Sequence, residues 1–449
     1  MIAAMRQHAP FTIILLLYLA VGALYAIYTP DWQTPDEPAH YNYVRQLADG
    51  RFPIMQPGDY DQEFIMRVVF AGPPFPPEVS LEPMSYEDWQ PPLYYLLQTP
   101  AFWLSGGSLT VMRLVSLLLG AGVVAFAYGL AWRLFRARWL ALTTAVFVAF
   151  LPQHLAIMAS ANNDALAELI IAAILFVLVG WVETGDRRLE TEESPVSSLQ
   201  SPKPLVLLGL LLGLGYLTKG TVYPLTAVVG LAIVWRYWRR WGKLVRAGLL
   251  TAVPAGLLGA LWWARNMVVY GGLDVLGKAA HDSVVVGQPR TAEWIADMGR
   301  TAVIRAFIST TFNSFWGQFG WMTTPMDGRL YRLLWVFTAV WVVGLIVALA
   351  IWWDRKRPSV LAVVVLLATF LLSLAVHVAY NVTFVQHQGR YLFPALLPIG
   401  VGVSVGLGVW VRPFVRRWPP LRYALPLGLG LAMVGLAVWA LFRVIVPFL

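Results

Sequence analysis

The chain has 449 residues, 58% of them hydrophobic and only 13% charged, with a mean hydropathy of +0.64. That balance excludes a soluble globule and describes an all-α polytopic membrane protein. The net charge is +9, and the absence of cysteine excludes disulfides and thiolate chemistry, while 21 Trp and 18 Tyr suit interfacial belts.

An apolar run of about 18–20 residues crosses the hydrocarbon. Eleven runs qualify or come close: 11–28, 108–131, 139–158, 165–182, 204–218, 221–235, 247–266, 333–353, 359–380, 394–411 and 423–446. The fifth and sixth are short. The first follows a segment, 1–10, with one Arg and no small-residue cleavage site after it, so it reads as an uncleaved signal anchor. With the N-terminus inside, 19 of the 33 basic residues fall in inner segments, from Arg6 through Arg133, Arg136 and Arg138 to Arg412, Arg416, Arg417 and Arg422. The positive-inside rule then fixes the orientation. The Pro/Ser/Glu-rich stretch 183–204 reads as a solvated inner connection, and Arg187, Arg188 and Arg355–Arg357 belong to inner loops.

The whole chain thus reads as a single transmembrane domain, 1–449, with two large outer loops, 29–107 and 267–330, and no soluble C-terminal domain. The first loop holds eleven Asp/Glu against three Arg. It opens with Thr34-Pro35-Asp36-Glu37-Pro38-Ala39-His40-Tyr41. Thr34 and Glu37 have the spacing of a capping box with Pro35 at the first helical position, and His40, Tyr43, Val44 and Leu47 recur at helical spacing up to Gly50. The spacing predicts a surface helix with Asp36 and Glu37 in its first turn. The two acids also simply suit a helix N-terminus. The Gly/Pro run 72–77 predicts an extended excursion. A second surface helix is expected to start at Asp88 or Gln90, with Pro91 near its beginning and Tyr94 inside it. In the second loop 291–311 reads as helical. Walker and Rossmann glycine patterns are absent, so nucleotide binding is unsupported and no nucleic-acid partner is expected.

Ionisable residues beside apolar spans mark functional sites. At the outer level fall Arg113, then Asn162, Asn163 and Asp164 with Glu168 one turn on, then Lys219, Arg265 and Asn266, and finally Gln388, Arg390 and Tyr391. Singly, snorkelling explains Lys219 and Arg265, and capping explains Asp164. Together they gather cations on the face that the positive-inside rule leaves poor in them. Arg and Lys hold phosphate, and a carboxylate accepts a proton from an attacking hydroxyl. An activated donor on an outer face has to be lipid-borne. These residues predict Asp36, Glu37 and Asp164 as catalytic, and Lys219, Arg390, Arg113 and Arg265 as phosphate-binding. His40, Tyr41, Gln90, Tyr94, Asn163, Gln388 and Tyr391 are expected to line the cleft. No cofactor is certain, and a divalent metal near Asp36, Glu37 and Asp164 is left open.

The motifs PDEPAHY at 35–41, PPLYY at 91–95, NND at 162–164 and QGRYLFP at 388–394 resemble those of the GT-C superfamily of polyprenyl-phosphate-sugar-dependent glycosyltransferases. The branch is that of protein O-mannosyltransferases and lipid A aminoarabinose transferases. Within it the chain looks closest to a group of bacterial predicted membrane proteins. The resemblance implies a GT-C-like fold in the bacterial cytoplasmic membrane and an inverting transfer of sugar from a polyprenyl-phosphate donor to a glycan, lipid or protein acceptor. It also implies that Asp36 is the base and Asp164 a second acid. The superfamily often places His or Lys where Gln90 stands. The alternative reading is a flippase or transporter of lipid-linked saccharides, which charges midway along the spans would favour.

Overall fold

The computed structural model describes residues 2–70, 75, 79–190, 202–352 and 358–449. Helix α1 (Ile2–Tyr28) leads into α2 (Glu37–Ala48), and α3 (Gln62–Phe70) and α4 (Leu93–Ser105) complete the first long loop. Then come α5 (Leu109–Phe135), α6 (Arg138–Phe150), α7 (Pro152–Met158), α8 (Asp164–Glu190), α9 (Lys203–Tyr216), α10 (Leu225–Tyr237) and α11 (Trp241–Val269). The second long loop carries α12 (Lys278–Val284), α13 (Thr291–Met298) and α14 (Arg300–Trp316), and a two-stranded hairpin, β1 (Gln318–Phe319) with β2 (Thr324–Pro325). Helices α15 (Gly328–Trp352), α16 (Val360–Thr383), α17 (Leu396–Arg417) and α18 (Ala424–Ala440) follow, with a 3-10 turn, Gly389–Ala395, leading into α17.

Among the described residues eight helices are long and apolar enough to cross a membrane, or nine if α6 and α7 count as one span. Each of the eleven predicted runs falls on a helix, but the count of full spans is lower. The third run is bent by 65° between α6 and α7. Pro152 causes the break, because it restricts Leu151 to extended backbone and opens α7 at its first position. Helices α9 and α10, with 14 and 13 residues, reach only about 20 Å each. Helix α8 continues to Glu190, past the point where the sequence suggested a loop. The rest of that stretch, the side chains of Arg187 and Arg188, residues 355–357, and the Gly/Pro run apart from Phe75 lie outside the described residues.

Helix α5 packs on α1, α6 and α8, and α17 packs on α6 and α15. The α15–α17 crossing is close because it has glycine on both sides. A Cβ on Gly406 would sit 2.0 Å from the Trp341 carbonyl oxygen, and one on Gly344 would sit 2.1 Å from that of Gly406.

The ends of the bundle are tied separately. At one end α2 lies against α4, with Tyr43 stacked on Tyr95 at 3.7 Å, and the Leu93 amide donates to the Leu217 carbonyl at 2.9 Å. At the other end Arg236 donates to the Trp181 carbonyl at 2.9 Å, and Glu183 accepts from the Ser359 amide at 3.0 Å.

Candidate active site

The expected capping box does not form. Helix α2 begins at Glu37, one residue after an Asp36 held in the left-handed region, φ 66° and ψ −3°. Pro38, rather than Pro35, sits in the first turn, and no side chain caps the helix. A non-glycine residue in that conformation costs about 1–2 kcal/mol, though Asp tolerates it better than most. The kink turns two neighbouring carboxylates to different surroundings.

Glu37 goes inward and is fully buried. Its oxygens accept from Arg113 Nε at 2.9 Å and Nη2 at 2.6 Å, and from the Ala161 amide at 3.1 Å. The remaining Arg113 hydrogens reach the carbonyls of Ala26, Thr29 and Pro30. Both residues were expected in the reaction or on the phosphate. The geometry instead makes them a buried brace between the end of α1, the start of α2, α5 and the loop before α8.

Asp36 goes the other way. Its Oδ2 pairs with Arg390 Nη2, and its Oδ1 accepts from the Tyr86 hydroxyl at 3.0 Å. The same guanidinium reaches toward Asp164, with Nη1 4.0 Å from Oδ2, and Asp164 Oδ1 lies 2.6 Å from Lys219 Nζ. Four residues spread from 36 to 390 thus form one chain of alternating charge: Asp36, Arg390, Asp164, Lys219. Their side chains keep between 6% and 23% of their surface exposed, so the cluster is not sealed from its surroundings.

Each member is held locally. Asn162 Oδ1 accepts from the Asp164 amide at 2.9 Å and fixes the start of α8. Arg390 rests over the Tyr391 ring at 5.6 Å. Its neighbour Gly389 lies so close to α14 that a Cβ would meet the Thr311 carbonyl oxygen at 2.2 Å, while its amide donates to Ser314 Oγ at 2.7 Å.

The electrostatics follow from burial and charge. Burial pushes the Asp36 carboxyl up, but Arg390, with Lys219 behind it, outweighs that and holds it below the usual carboxylate range. Burial, then the Lys219 charge, pushes His40 down to about 3, so its ring is neutral at physiological pH. Its Nδ1 lies 2.9 Å from the Tyr95 hydroxyl, to which Asn163 Nδ2 also donates at 3.2 Å. Burial and the Asp36 charge push Glu87 up to about 8, leaving it protonated at neutral pH. One of its oxygens is buried without a hydrogen-bond partner.

Tyr86 and Glu87 were not singled out from the sequence. The signal available was an acidic, aromatic run, Tyr86-Glu87-Asp88-Trp89, two residues ahead of paired prolines. Gln90 is buried beside Glu87. Tyr94 is fully buried, bonded to Ser116 at 2.8 Å, and Gln388 bonds Gln386 at 3.0 Å. The Tyr41 hydroxyl donates to the Gly107 carbonyl at 2.9 Å. Arg265 takes no part either: it reaches the Pro53 carbonyl and lies among the rings of Phe52, Trp262 and Tyr270. Among the described residues no group of three or more His, Asp or Glu side chains converges as a metal site, and Glu37, one expected ligand, is taken up by Arg113.

A family model described as "Predicted membrane protein (DUF2142)" matches residues 85–399, more than half of the chain. The chain belongs to the DUF2142 family. The matched stretch runs from Ser85, just before Tyr86 and Glu87, through Asp164 and Lys219 to Arg390. No curated protein sequence matches this DUF2142 protein. Among solved structures it is similar to the apo oligosaccharyltransferase of Archaeoglobus fulgidus, with a TM-score of 0.56 and 13% identity, covering 97% of this chain and 56% of that one. It is also similar to apo ArnT from Cupriavidus metallidurans, with a TM-score of 0.51 and 15% identity, covering 100% of this chain and 74% of that one. At these identities the likeness establishes the fold, which is the GT-C type that the sequence motifs resemble. The DUF2142 protein spans about half the length of the oligosaccharyltransferase.

Proposed function

We propose that this DUF2142 protein is an inverting glycosyltransferase that moves a sugar from a polyprenyl-phosphate donor to an acceptor hydroxyl at the outer face of the bacterial cytoplasmic membrane. The observation that carries the reading is the single Arg390 guanidinium lying between Asp36 and Asp164, with Lys219 on the second carboxylate. One base and a cationic clamp are what displacement at a sugar carbon needs when phosphate is the leaving group.

In the resting arrangement Asp36 is a weak base, because Arg390 stabilises its charged form. A donor phosphate takes Arg390 and Lys219 as its own partners. Freed of the guanidinium, Asp36 gains basicity at the moment an acceptor is present. The acceptor oxygen then forms its bond to the anomeric carbon from the face opposite the phosphate, and its proton passes to Asp36. The bond from that carbon to the phosphate oxygen breaks, and the electron pair leaves on the phosphate, where the two cations stabilise it. Protonated Glu87 and neutral His40 are uncharged groups suited to holding sugar hydroxyls. Asp164 positions Lys219 and the acceptor.

The test uses the purified full chain in proteoliposomes with a radiolabelled polyprenyl-phosphate hexose and an envelope extract as acceptor. The expected result is label in the acceptor fraction. Asp36→Asn should lower transfer by about 10²–10⁴-fold while donor binding stays near wild type, because only the basic oxygen is lost. Arg390→Ala should weaken donor binding first. Label that crosses the bilayer still attached to its lipid would instead favour the flippase reading. An Asp36→Asn protein that binds donor and transfers at the wild-type rate would remove Asp36 from the mechanism.

A further inference from the structure

A polar recess lies at the end of the bundle opposite the ion chain. It has a volume of about 410 Å³ and is lined by His8, Trp132, Arg136, Ala137, Arg138, Trp139, Arg422 and Tyr423. Its position follows from the helices that form it. Helix α5 has 27 residues, about 40 Å of rise, with Arg113 of the brace near one end and Trp132 near the other. Helix α17 follows directly on the turn bearing Arg390 and ends at Arg417, shortly before Arg422. His8 is 20 residues before Tyr28 along α1.

The recess contains three arginines and, among the described residues, no Asp or Glu in its lining. None of the three belongs to any ion pair among the described residues. Arg138 Nη2 is buried without a hydrogen-bond partner. Arg136 is held in the left-handed region, φ 53°, at the end of α5. The Tyr128 hydroxyl lies beside both His8, at 3.0 Å, and Arg138. Arg422 lies over the Tyr423 ring at 5.1 Å. A concave group of guanidiniums with a buried, unpartnered donor is suited to an anion.

We propose that this recess binds the phosphate head group of an anionic membrane lipid, separately from the glycosyl-transfer site. Phosphate suits the planar donor forks of Arg bidentately, and Trp132, Trp139 and Tyr423 give a wall at which a glycerol and the first part of the acyl chains rest. Basic recesses between spans on the side where Arg and Lys collect are suited to such head groups. The volume is in the range of a small-molecule site.

Native mass spectrometry of the purified full chain tests this, after exchange into detergent with dimyristoyl phosphatidylglycerol, with dimyristoyl phosphatidylcholine, or with inorganic phosphate alone. The expected result is one retained phosphatidylglycerol per protein and no retained phosphatidylcholine. Arg138→Gln and Arg136→Gln should each weaken retention about tenfold, the value of one charge-assisted hydrogen bond. Arg138→Lys, which keeps the charge and loses the fork, should fall between wild type and Arg138→Gln. Arg417→Gln, an exposed cation at the same end outside the recess, should change nothing. If Arg138→Gln does not fold, Arg136→Gln decides, since Arg136 is exposed. Equal retention of the two lipids, an equal loss in Arg417→Gln, or displacement of phosphatidylglycerol by an equal concentration of inorganic phosphate would each overturn the proposal.

Discussion

Asp36 and Glu37 are neighbours in sequence and have opposite surroundings, and the difference yields a test at the scale of single residues. Glu37→Gln leaves the buried Arg113 charge with only the exposed Asp31, 3.6 Å from its Nη1, in place of the two short bonds to Glu37, which should cost about 2–4 kcal/mol, somewhat less than a wholly unpaired buried charge. Tryptophan fluorescence during heating should show a large fall in Tm for Glu37→Gln. The pair Glu37→Gln, Arg113→Gln should lose clearly less than the sum of the single changes. A Glu37→Gln protein with wild-type Tm and no transfer would return Glu37 to the reaction. A second test concerns Glu87 and Asp88, which burial holds up at about 8 and about 7, well above their unfolded values. Between the unfolded and folded pKa values the native state binds more protons than the unfolded chain. The stability that the pair contributes is therefore fully present only below about pH 3.8, and it is lost as pH rises, up to about 7 for Asp88 and about 8 for Glu87. Glu87→Gln should flatten the upper part of that fall in a series of Tm values from pH 5 to 9, leaving the part that Asp88 contributes. The sequence made Asp36, Asp164, Lys219 and Arg390 legible because each is a charge at the end of an apolar run. It could not divide Asp36 from Glu37, since the left-handed backbone at Asp36 leaves no trace in composition or periodicity.

At the scale of elements, the 3-10 turn Gly389–Ala395 is what brings Arg390 to a carboxylate 354 residues away. Gly389 fits because α14 comes into backbone contact there. In Gly389→Ala the new Cβ would lie 2.3 Å from the Phe315 amide nitrogen, so the turn or α14 has to move. Backbone atoms cannot swing aside as a long side chain can. The expected outcome is weaker polyprenyl-phosphate binding together with a lower Tm, measured by quenching of tryptophan fluorescence and by thermal melting. Unchanged donor binding in Gly389→Ala would separate the turn from the site. Helix α2 was legible from its spacing; it ends at Ala48, capped by Asp49, with Gly50 in the left-handed region, φ 76°, just beyond. Its burial was not foreseen: the helix reads as a surface element, yet Glu37, Pro38, Ala39, His40, Asn42, Tyr43 and Val44 are all buried. Helix α4 starts at Leu93, after both prolines rather than at Asp88 or Gln90, because a residue that precedes proline is kept from helical backbone. Tertiary covering of a short helix and the exact first residue are set by partners distant in sequence.

For the whole molecule, eleven apolar runs and the placement of charge between them lead to an expected alternation of ends, and the ion chain and the arginine recess lie at opposite ends of the bundle. What the runs could not give was how many cross fully, since α9 and α10 are short and α6 bends into α7 for reasons of proline and packing. Orientation in the membrane is the property on which both proposals depend. The glycosyl-transfer cluster needs the outer face, where a lipid-borne donor is the only activated sugar, and the arginine recess needs the face where positive charge collects. A chain without cysteine permits a direct measurement. Glu63→Cys, exposed in the first long loop near the cluster end, should react with a membrane-impermeant maleimide added to intact cells. Lys243→Cys, exposed at the start of α11 near the other end, should react only after the membrane is opened. The reverse pattern would place Asp36 and Arg390 in the cytoplasm. A nucleotide sugar would then be available to the cluster, and the argument for a lipid-borne donor would fall with the orientation, while the brace between Glu37 and Arg113 and the geometry of the ion chain would stand.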